Sequence, residues 1–443
     1  MSSKYKTCIC GFIFMVMFSC DDFVLIDPPR TDLTRQTVFT GNETADAAVA
    51  DIYFQIGNDG FAGGSINSIT LMTALSADEL VNAISWDNNY QQVNDNAIIP
   101  ANSLITFLWE DIYSCIYKCN AVLEGLDASD KVSQPAKQQL IGEAKFLRAF
   151  SHFYLVNLFG DVPLVLSTDY EINQNILRNS SANVYDQIVA DLLDAQNSLP
   201  DDFSFSSGEK IRVNRVVATA FLARVYLYMQ EWSNAEEQAS KVIGDLRYSL
   251  KTNLNEVFLK NSSEAIFQFH PRFGYPGDLS TFIEYGFRLD QDLIDSFEAG
   301  DLRNSQWNLN GTSYKYNSPT RNSEYSTVFR LAEQYLIRAE ARVQQDKIQG
   351  AQDDINVIRQ RAGLEDTPSI DKATLLLTIE RERRVELFNE WGHRWFDLKR
   401  TNRIDAIIQS KKPQWSITDA LYPIPEIQIQ NSLGMRAAQN PGY

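Results

Sequence analysis

Apolar side chains recur every three or four positions along much of the chain, which is the spacing of amphipathic helices. Residues 42–57 carry Ala45, Val49, Ile52 and Ile56 at this spacing, and residues 105–126 continue it. The clearest stripe runs over residues 140–158 and is followed by Gly160 and then Pro163. Glycine and proline in these positions are typical of a helix C-terminus.

Two segments have the pattern of helical hairpins, in which two helices are joined by a short turn. The pattern predicts one hairpin from residues 215–230 and 234–245, and a second from residues 328–345 and 350–362. Residues 233–236 read as a capping box, in which Ser233 and Glu236 satisfy each other's backbone amides. Small residues stand twelve positions apart in both hairpins, at Ala223 and Ala235 and again at Ala339 and Ala351. Close packing at small residues resembles tetratricopeptide-like helix pairs.

Residues 371–400 predict a last long helical region. Two segments interrupt the helical pattern. Residues 58–104 are rich in Gly, Asn and Asp, and residues 247–327 mix short β-like runs such as residues 265–269 with turns. Long irregular segments in compact proteins are usually functional, so these two are the candidate ligand-facing segments. The fold class is therefore mainly α, with helix pairs mainly over residues 42–57, 105–245 and 328–400.

The composition excludes several classes of protein. The 443 residues carry a formal net charge of −17 and 12% aromatic side chains. So acidic a surface argues against nucleic-acid binding, and this aromatic content argues against disorder. The three histidines lie far apart, which argues against a histidine-based metal site. No cofactor is expected.

The first residues read as an export signal. Lys4 and Lys6 precede an apolar run over residues 8–18, which is too short to span a bilayer. Residues 1–19 are therefore predicted to be a signal peptide, and residues 20–443 a single mature domain. Cys20 ends a sequence that looks like a bacterial lipobox and is the predicted lipidation site. An ordinary signal peptide with a chance cysteine is the alternative.

Cys115 and Cys119 lie four positions apart on a predicted helix and would share one face of it. Free cysteines are often fully buried, so two buried thiols are the favoured interpretation. A metal site would need more ligands than this pair supplies.

Several motifs, in order, resemble the SusD/RagB family of outer-membrane lipoproteins. They are residues 142–149 continuing to Pro163, residues 223–228 followed by Trp232 and Ala235, residues 330–341, residues 392–400, and the ending from Tyr422 to Tyr443. Trp391 stands directly before Gly392, where the family often has Glu. The resemblance covers essentially the whole mature chain.

The resemblance implies a right-handed helix-pair scaffold with an irregular, loop-rich half. It also implies a non-catalytic lipoprotein, anchored in the outer membrane through the lipid on Cys20 and facing the cell exterior. Such a protein captures oligosaccharide, or peptide in the RagB branch, and passes it to a SusC-like TonB-dependent barrel. A helical scaffold that binds only proteins is a further alternative. An enzyme is disfavoured, because the chain has no nucleophile elbow, P-loop or His-Glu-x-x-His motif.

The candidate ligand-binding residues lie in the two irregular segments. Sugars are recognised by flat aromatic rings together with planar polar groups, and Trp86 and Trp307 lie outside the clear helices. The two tryptophans could form the walls of one groove, or each could anchor a loop to the core. The predicted ligand-binding set is Asp78, Trp86, Asn88, Asn89, Tyr90, Trp307 and Tyr314.

Overall fold

The computed structural model describes residues 38–63, 67–83, 87–271, 286–436 and 438–443. Most of these residues lie in helices. The helices, in chain order, are α1 (Asn42–Phe54), α2 (Ile69–Ser76), α3 (Asn88–Asn94), α4 (Ser103–Ala128), α5 (Gln134–Phe159), α6 (Tyr170–Asn173), α7 (Ser181–Ser198), α8 (Arg215–Tyr228), α9 (Trp232–Ile243), α10 (Gln291–Asp295), α11 (Leu302–Trp307), α12 (Leu331–Gln344), α13 (Ile348–Arg361), α14 (Lys372–Leu387), α15 (His393–Arg400), α16 (Ile404–Ile408) and α17 (Glu426–Asn431).

Consecutive long helices pack against one another along the scaffold. α4 packs on α5, α5 on α7, α7 on α8, α8 on α9, α9 on α12 and α12 on α13, and α14 then packs against both α12 and α13. The alanines Ala223, Ala235, Ala339 and Ala351 are fully buried. The predicted mainly α fold built from tetratricopeptide-like helix pairs is confirmed.

Helix α5 provides the centre of the core. Its Phe146, Phe150 and Phe153 are buried, and each ring contacts Phe221 of α8. Such tilted and edge-to-face contacts are the favoured geometry of aromatic pairs. The helix ends where the sequence predicts, at Gly160, whose φ of +74° is a conformation that other residues rarely adopt.

The strands are short and form two-stranded antiparallel pairs. They are β1 (Leu80–Asn82), β2 (Val162–Pro163), β3 (Arg178–Asn179), β4 (Ala265–Phe269), β5 (Phe287–Leu289), β6 (Asn308–Leu309), β7 (Thr312–Ser313) and β8 (Ser326–Arg330). Strand β1 pairs with β5, β2 with β3, β4 with β8, and β6 with β7. The β-like run at residues 265–269 is thus a strand, and all five of its residues are buried.

The helical region predicted over residues 371–400 is interrupted. α14 ends at Leu387 and α15 begins at His393, and between them Asn389, Trp391 and Gly392 have φ values of 51°, 50° and 77°. The indole Nε1 of Trp391 donates to the carbonyl of Thr327 at 2.6 Å, which holds this ring in the core. Tertiary packing of Trp391 therefore overrides the local helical pattern.

Residues 58–104 are more regular than their composition suggests. α2 lies in this segment and every one of its residues is buried. α3 follows, with Asp87 as its N-cap. Among the described residues, no helix combines the length and the apolar character that crossing a membrane requires.

Candidate ligand-binding face

The predicted residues around position 88 lie at the start of α3. Asp87 caps this helix, and its carboxylate accepts from the backbone N–H of Asn89 at 2.8 Å. Asn88 is exposed and Asn89 is half-buried, so both amides are available to a ligand. Tyr90 is buried and its ring packs edge-on against Phe287, with centroids 5.6 Å apart. Trp86 lies outside the described residues and stays a prediction.

Strands β1 and β5 form a narrow ribbon beside α3. Leu80 pairs with Leu289, Val81 with Arg288, and Asn82 with Phe287. Leu80, Phe287 and Leu289 are buried, whereas Val81 is exposed and Arg288 is half-buried. Because side chains alternate between the two faces of a strand, Val81 and Arg288 point together toward solvent.

The turn between β6 and β7 extends the ribbon on its other side. The backbone N–H of Leu289 donates to the carbonyl of Gly311 at 2.8 Å. In this turn Asn310 and Gly311 have φ values of 52° and 79°, and the Leu309 side chain is exposed. We call β1, β5, residues 309–311 at the tip of the β6–β7 hairpin, and the first turn of α3 the ribbon site.

The ribbon site brings together the two irregular segments that the sequence singles out. The first contributes Val81 and Asn88, and the second contributes Arg288 and Leu309. Val81 and Arg288 are direct neighbours across the ribbon, and the elements that carry Asn88 and Leu309 both contact it. Planar donors and acceptors beside apolar surface are the combination that orients a polar organic ligand.

Trp307 does not belong to this exposed surface, and the prediction that it forms a groove wall is wrong. Its side chain is 0% exposed, and its indole Nε1 donates to the carbonyl of Leu254 at 3.2 Å. The ring packs edge-on against Phe258. Trp307 anchors the base of the β6–β7 hairpin to the core, which was the alternative interpretation from the sequence.

Tyr314 lies at the other end of this hairpin. Its backbone N–H donates to the carbonyl of Trp307 at 2.8 Å, and its side chain is half-buried. It keeps exposed surface near the ribbon site, so a contact with ligand stays a prediction. Tyr90 is 3% exposed and supports β5 from below, so it has almost no surface to offer a ligand.

Asp78 is likewise buried, at 2% exposure, and its predicted contact with ligand is wrong. The carboxylate forms ion pairs with Arg394 at 2.7 Å and with Arg384 at 2.7 Å. Burial opposes ionisation of Asp78, but the hydrogen bonds and charge of Arg394 outweigh it and hold the pKa well below its usual range. Asp78 therefore fixes the ribbon to α14 and α15.

The pKa of the neighbouring Glu79 is shifted in the opposite direction, upward. Burial, and secondly the charge of Asp78, raise the pKa of Glu79 to about 8. Its Oε2 accepts from the backbone N–H of Asn389 at 3.4 Å. The carboxyl is therefore protonated and neutral at pH 7, which is the usual outcome when an acid is buried beside another negative charge.

The second irregular segment is also held by buried charges. Arg303 of α11 pairs with Glu382 at 2.9 Å, and Arg330 at the end of β8 pairs with Glu386 at 2.5 Å and Glu390 at 2.8 Å. Lys315, just after β7, pairs with Glu390 at 2.5 Å. Acids of α14 and the following turn therefore fix both ends of the β6–β7 hairpin.

Sequence reasoning missed Arg288, Val81 and Leu309. A weak signal was present, because residues 287–289 alternate apolar, charged and apolar, as in a half-buried strand. A three-residue strand is too short for this pattern to be distinctive. Within the described ranges, no group of three or more acidic, histidine or cysteine side chains could hold a metal ion.

The fold and this face define a class of protein: a helix-pair scaffold whose irregular segments meet on one exposed face. Residues 46–227 match the family described as starch-binding, associating with the outer membrane, and residues 303–443 match the one described as the SusD family. The chain belongs to the SusD/RagB family.

Relatives cover nearly the whole chain. A SusD-like protein of Formosa agariphila is 23% identical over 98% of each chain. A SusD superfamily protein from Parabacteroides distasonis superposes with a TM-score of 0.79 at 24% identity, over 93% of this chain and 100% of its own. Surface glycan-binding protein A from Bacteroides thetaiotaomicron, in complex with laminarihexaose, gives 0.76 at 20% identity, over 90% of this chain and 100% of its own. These structural similarities establish the fold.

Proposed function

We propose that the protein captures oligosaccharides at the cell surface through the ribbon site and passes them to a SusC-like TonB-dependent outer-membrane transporter. The observation that carries this proposal is the ribbon site itself. Elements from two distant parts of the sequence meet there, and they carry an exposed amide, a guanidinium and exposed apolar side chains. Membership of a family described as starch-binding supports a carbohydrate as the ligand.

The chemistry of the ribbon site suits a sugar. Arg288 offers several N–H donors, of which Nη1 bonds the carbonyl of Phe287 at 3.0 Å. Asn88 supplies both a donor and an acceptor, so together they match vicinal hydroxyls. Val81 and Leu309 offer apolar surface for the C–H faces of a sugar ring. We expect Trp86 to supply the aromatic platform beside Asn88.

The proposal includes no catalytic role. The solvent-facing groups of the ribbon site that the structure describes are an arginine, amides and aliphatic side chains. Binding and release are all that such groups need to perform when a transporter takes the ligand onward.

Binding calorimetry tests the capture step. A panel of oligosaccharides, including laminarihexaose, and of peptides is titrated into the protein from residue 21 onward. Asn88→Ala and Arg288→Ala are each expected to weaken glycan affinity about tenfold, because each removes hydrogen bonds to the ligand. The exposed residues Asn183 and Arg436 provide matched controls, and their alanine variants should bind as the parent does.

The outcomes separate the alternatives. A glycan that binds all variants equally leaves the ligand class intact and overturns the ribbon site. If only peptides bind, the ligand class is peptide and not glycan. Binding of the barrel partner without any soluble ligand favours the protein-binding scaffold.

The anchor and the transport partner require a test in cells. We propose that Cys20 carries the lipid and that the protein faces the cell exterior. Cys20→Ser should remove the lipid mass and shift the protein out of the outer-membrane fraction. A TonB-dependent barrel should co-purify with the parent protein in detergent, and recovery of the parent without a barrel would contradict the proposed partnership.

A further inference from the structure

A cavity of about 590 Å³ lies on the helical scaffold, between α9, α12, α14 and α15. It shares no residue with the ribbon site. Its volume falls within the range of roughly 300–1,000 Å³ that is usual for small-ligand pockets.

One wall of the cavity is apolar. Trp232, the first residue of α9, is half-buried and presents part of its indole to the cavity. Leu376 and Leu377 of α14 also line the cavity, and Leu377 is 56% exposed. An indole with an open face is a platform on which a flat apolar surface can stack.

Three residues with side-chain amides also line the cavity. They are Gln230 before α9, Gln344 at the end of α12, and Asn402 after α15. Over the described part of the chain, none of the three side-chain amides forms a hydrogen bond within the protein. Each amide offers two donors and an acceptor, so the lining of the cavity includes hydrogen-bonding groups that no other described part of the protein uses.

The cavity is lined by equal numbers of carboxylates and arginines, which form ion pairs. The pairs are Arg383 with Asp397 at 2.6 Å, Arg400 with Glu340 at 2.5 Å, and Arg403 with Glu380 at 3.2 Å. Because every carboxylate has an arginine partner, the lining favours neither an anionic nor a cationic ligand. Arg383 also keeps Nη1 and Nη2 without an acceptor among the described residues.

We propose that this cavity is a second carbohydrate-binding site, which takes a short neutral oligosaccharide with one ring stacked on Trp232. Hydroxyl groups of that ring bond the amides of Gln230, Gln344 and Asn402. The inference rests on the proposed function in one respect, since the ligand class is the same. A long glycan that engages both sites is held more tightly than by either site alone, because the second contact is intramolecular.

Filling the cavity tests the inference. Ala373 lines it from the exposed side of α14, so Ala373→Arg blocks the space without removing a core side chain. Leu246, which is 99% exposed in a turn, provides the matched control Leu246→Arg. Trp232→Phe and Gln344→Ala are milder variants. The probes are neutral hexasaccharides, beginning with laminarihexaose, titrated by calorimetry with tryptophan fluorescence recorded in parallel.

The expected result is two binding events. Ala373→Arg and Gln344→Ala should each weaken one event about tenfold or more and leave the other unchanged, whereas Arg288→Ala affects the other event. Trp232→Phe should remove the fluorescence change of the scaffold event. A single event that responds to Arg288→Ala and to no cavity variant overturns the second site and leaves the proposed function standing. No event with any hexasaccharide overturns both proposals.

Discussion

Arg394 donates from Nε and Nη2 to the two carboxylate oxygens of Asp78, at 2.7 and 3.0 Å, although the residues stand 316 positions apart. The pair is buried and joins the strand β1 side of the ribbon site to α15. Two-point arginine–carboxylate bonds fix orientation as well as distance. The position of the proposed ligand-binding face therefore depends on a helix near the end of the chain.

Removing the charge of Asp78 is expected to destabilise the fold strongly. Asp78→Asn leaves Arg394 and Arg384 buried without their main partner, and breaking a buried pair in this way costs about 3–5 kcal/mol. The free energy of unfolding from denaturant titration measures the loss. Asp292→Asn is the control. Asp292 forms an ion pair with Lys411, but its side chain is 63% exposed, so its substitution should lower the free energy of unfolding by about 1 kcal/mol or less. Equal effects of the two substitutions would contradict the role of Asp78.

Glu79 makes stability depend on pH in a defined direction. Its pKa is about 8 in the folded protein and 4.5 in the ordinary, unfolded reference. Between these values the unfolded chain releases the proton and the folded chain keeps it, so this group lowers stability as pH rises from 4.5 to 8. The loss is complete above pH 8, and it is absent below pH 4.5.

Glu79→Gln removes this titration and keeps an acceptor for the backbone N–H of Asn389. The variant should therefore gain stability relative to the parent as pH rises from 4.5 to 8, with no further gain above that range. Unfolding free energies at several pH values provide the measurement. Glu426→Gln, on the exposed start of α17, should follow the parent curve. A difference between Glu79→Gln and parent that does not change with pH would refute the assignment.

Trp307 is expected to matter for stability and not for ligand contact. Trp307→Ala opens a large cavity beside Phe258 and Phe388 and should cost about 3–5 kcal/mol. Trp307→Phe keeps most of the packing, loses the hydrogen bond to Leu254, and should retain glycan affinity. Calorimetry on the folded Trp307→Phe protein is the check. If Trp307→Phe lost much of its glycan affinity while its free energy of unfolding stayed the same, Trp307 would have to contact the ligand.

Cys115 and Cys119 are free and buried, as the sequence indicates. Burial raises the pKa of the Cys119 thiol to about 12 and that of Cys115 well above its usual value. Thiolates are the reactive form, so both should resist a thiol reagent in the folded protein and react in denaturant. A colorimetric thiol assay on the protein from residue 21 onward makes this comparison. Rapid labelling of the native protein would contradict their burial.

The scaffold was predictable because each helix carries its own apolar stripe. The stripe of α5 and the alanines of the two hairpins are local signals, and the structure confirms them. The capping box that the same local reasoning predicts at Ser233 does not form. α9 begins at Trp232 without a side-chain cap, and Glu236 instead pairs with Arg342 at 3.1 Å and with Lys347 at 2.5 Å of the next hairpin.

The candidate site was less predictable, because burial in the irregular segments is decided by partners far away in sequence. Asp78 and Trp307 are a polar residue and an aromatic residue in loop-like surroundings, which is also how surface ligand contacts look. Their partners are Arg394 and the backbone of Leu254, and no local sequence pattern predicts either of these contacts. Arg288 was missed for a different reason: its strand has only three residues, which is too short for an alternating pattern to be distinctive.

The buried charges that α14 and its neighbours contribute bear on how the protein is made. Residues 382–394 belong to the last part of the chain to emerge, yet they hold segments that begin near residue 78. Contacts of such long sequence separation form slowly, because the intervening chain must first be ordered. During synthesis the N-terminal helices can pack as they appear, but the ribbon site has to wait for α14 and α15. Premature termination before residue 382 would thus leave a chain with much of its scaffold but without the ion pairs that hold the ribbon site in place.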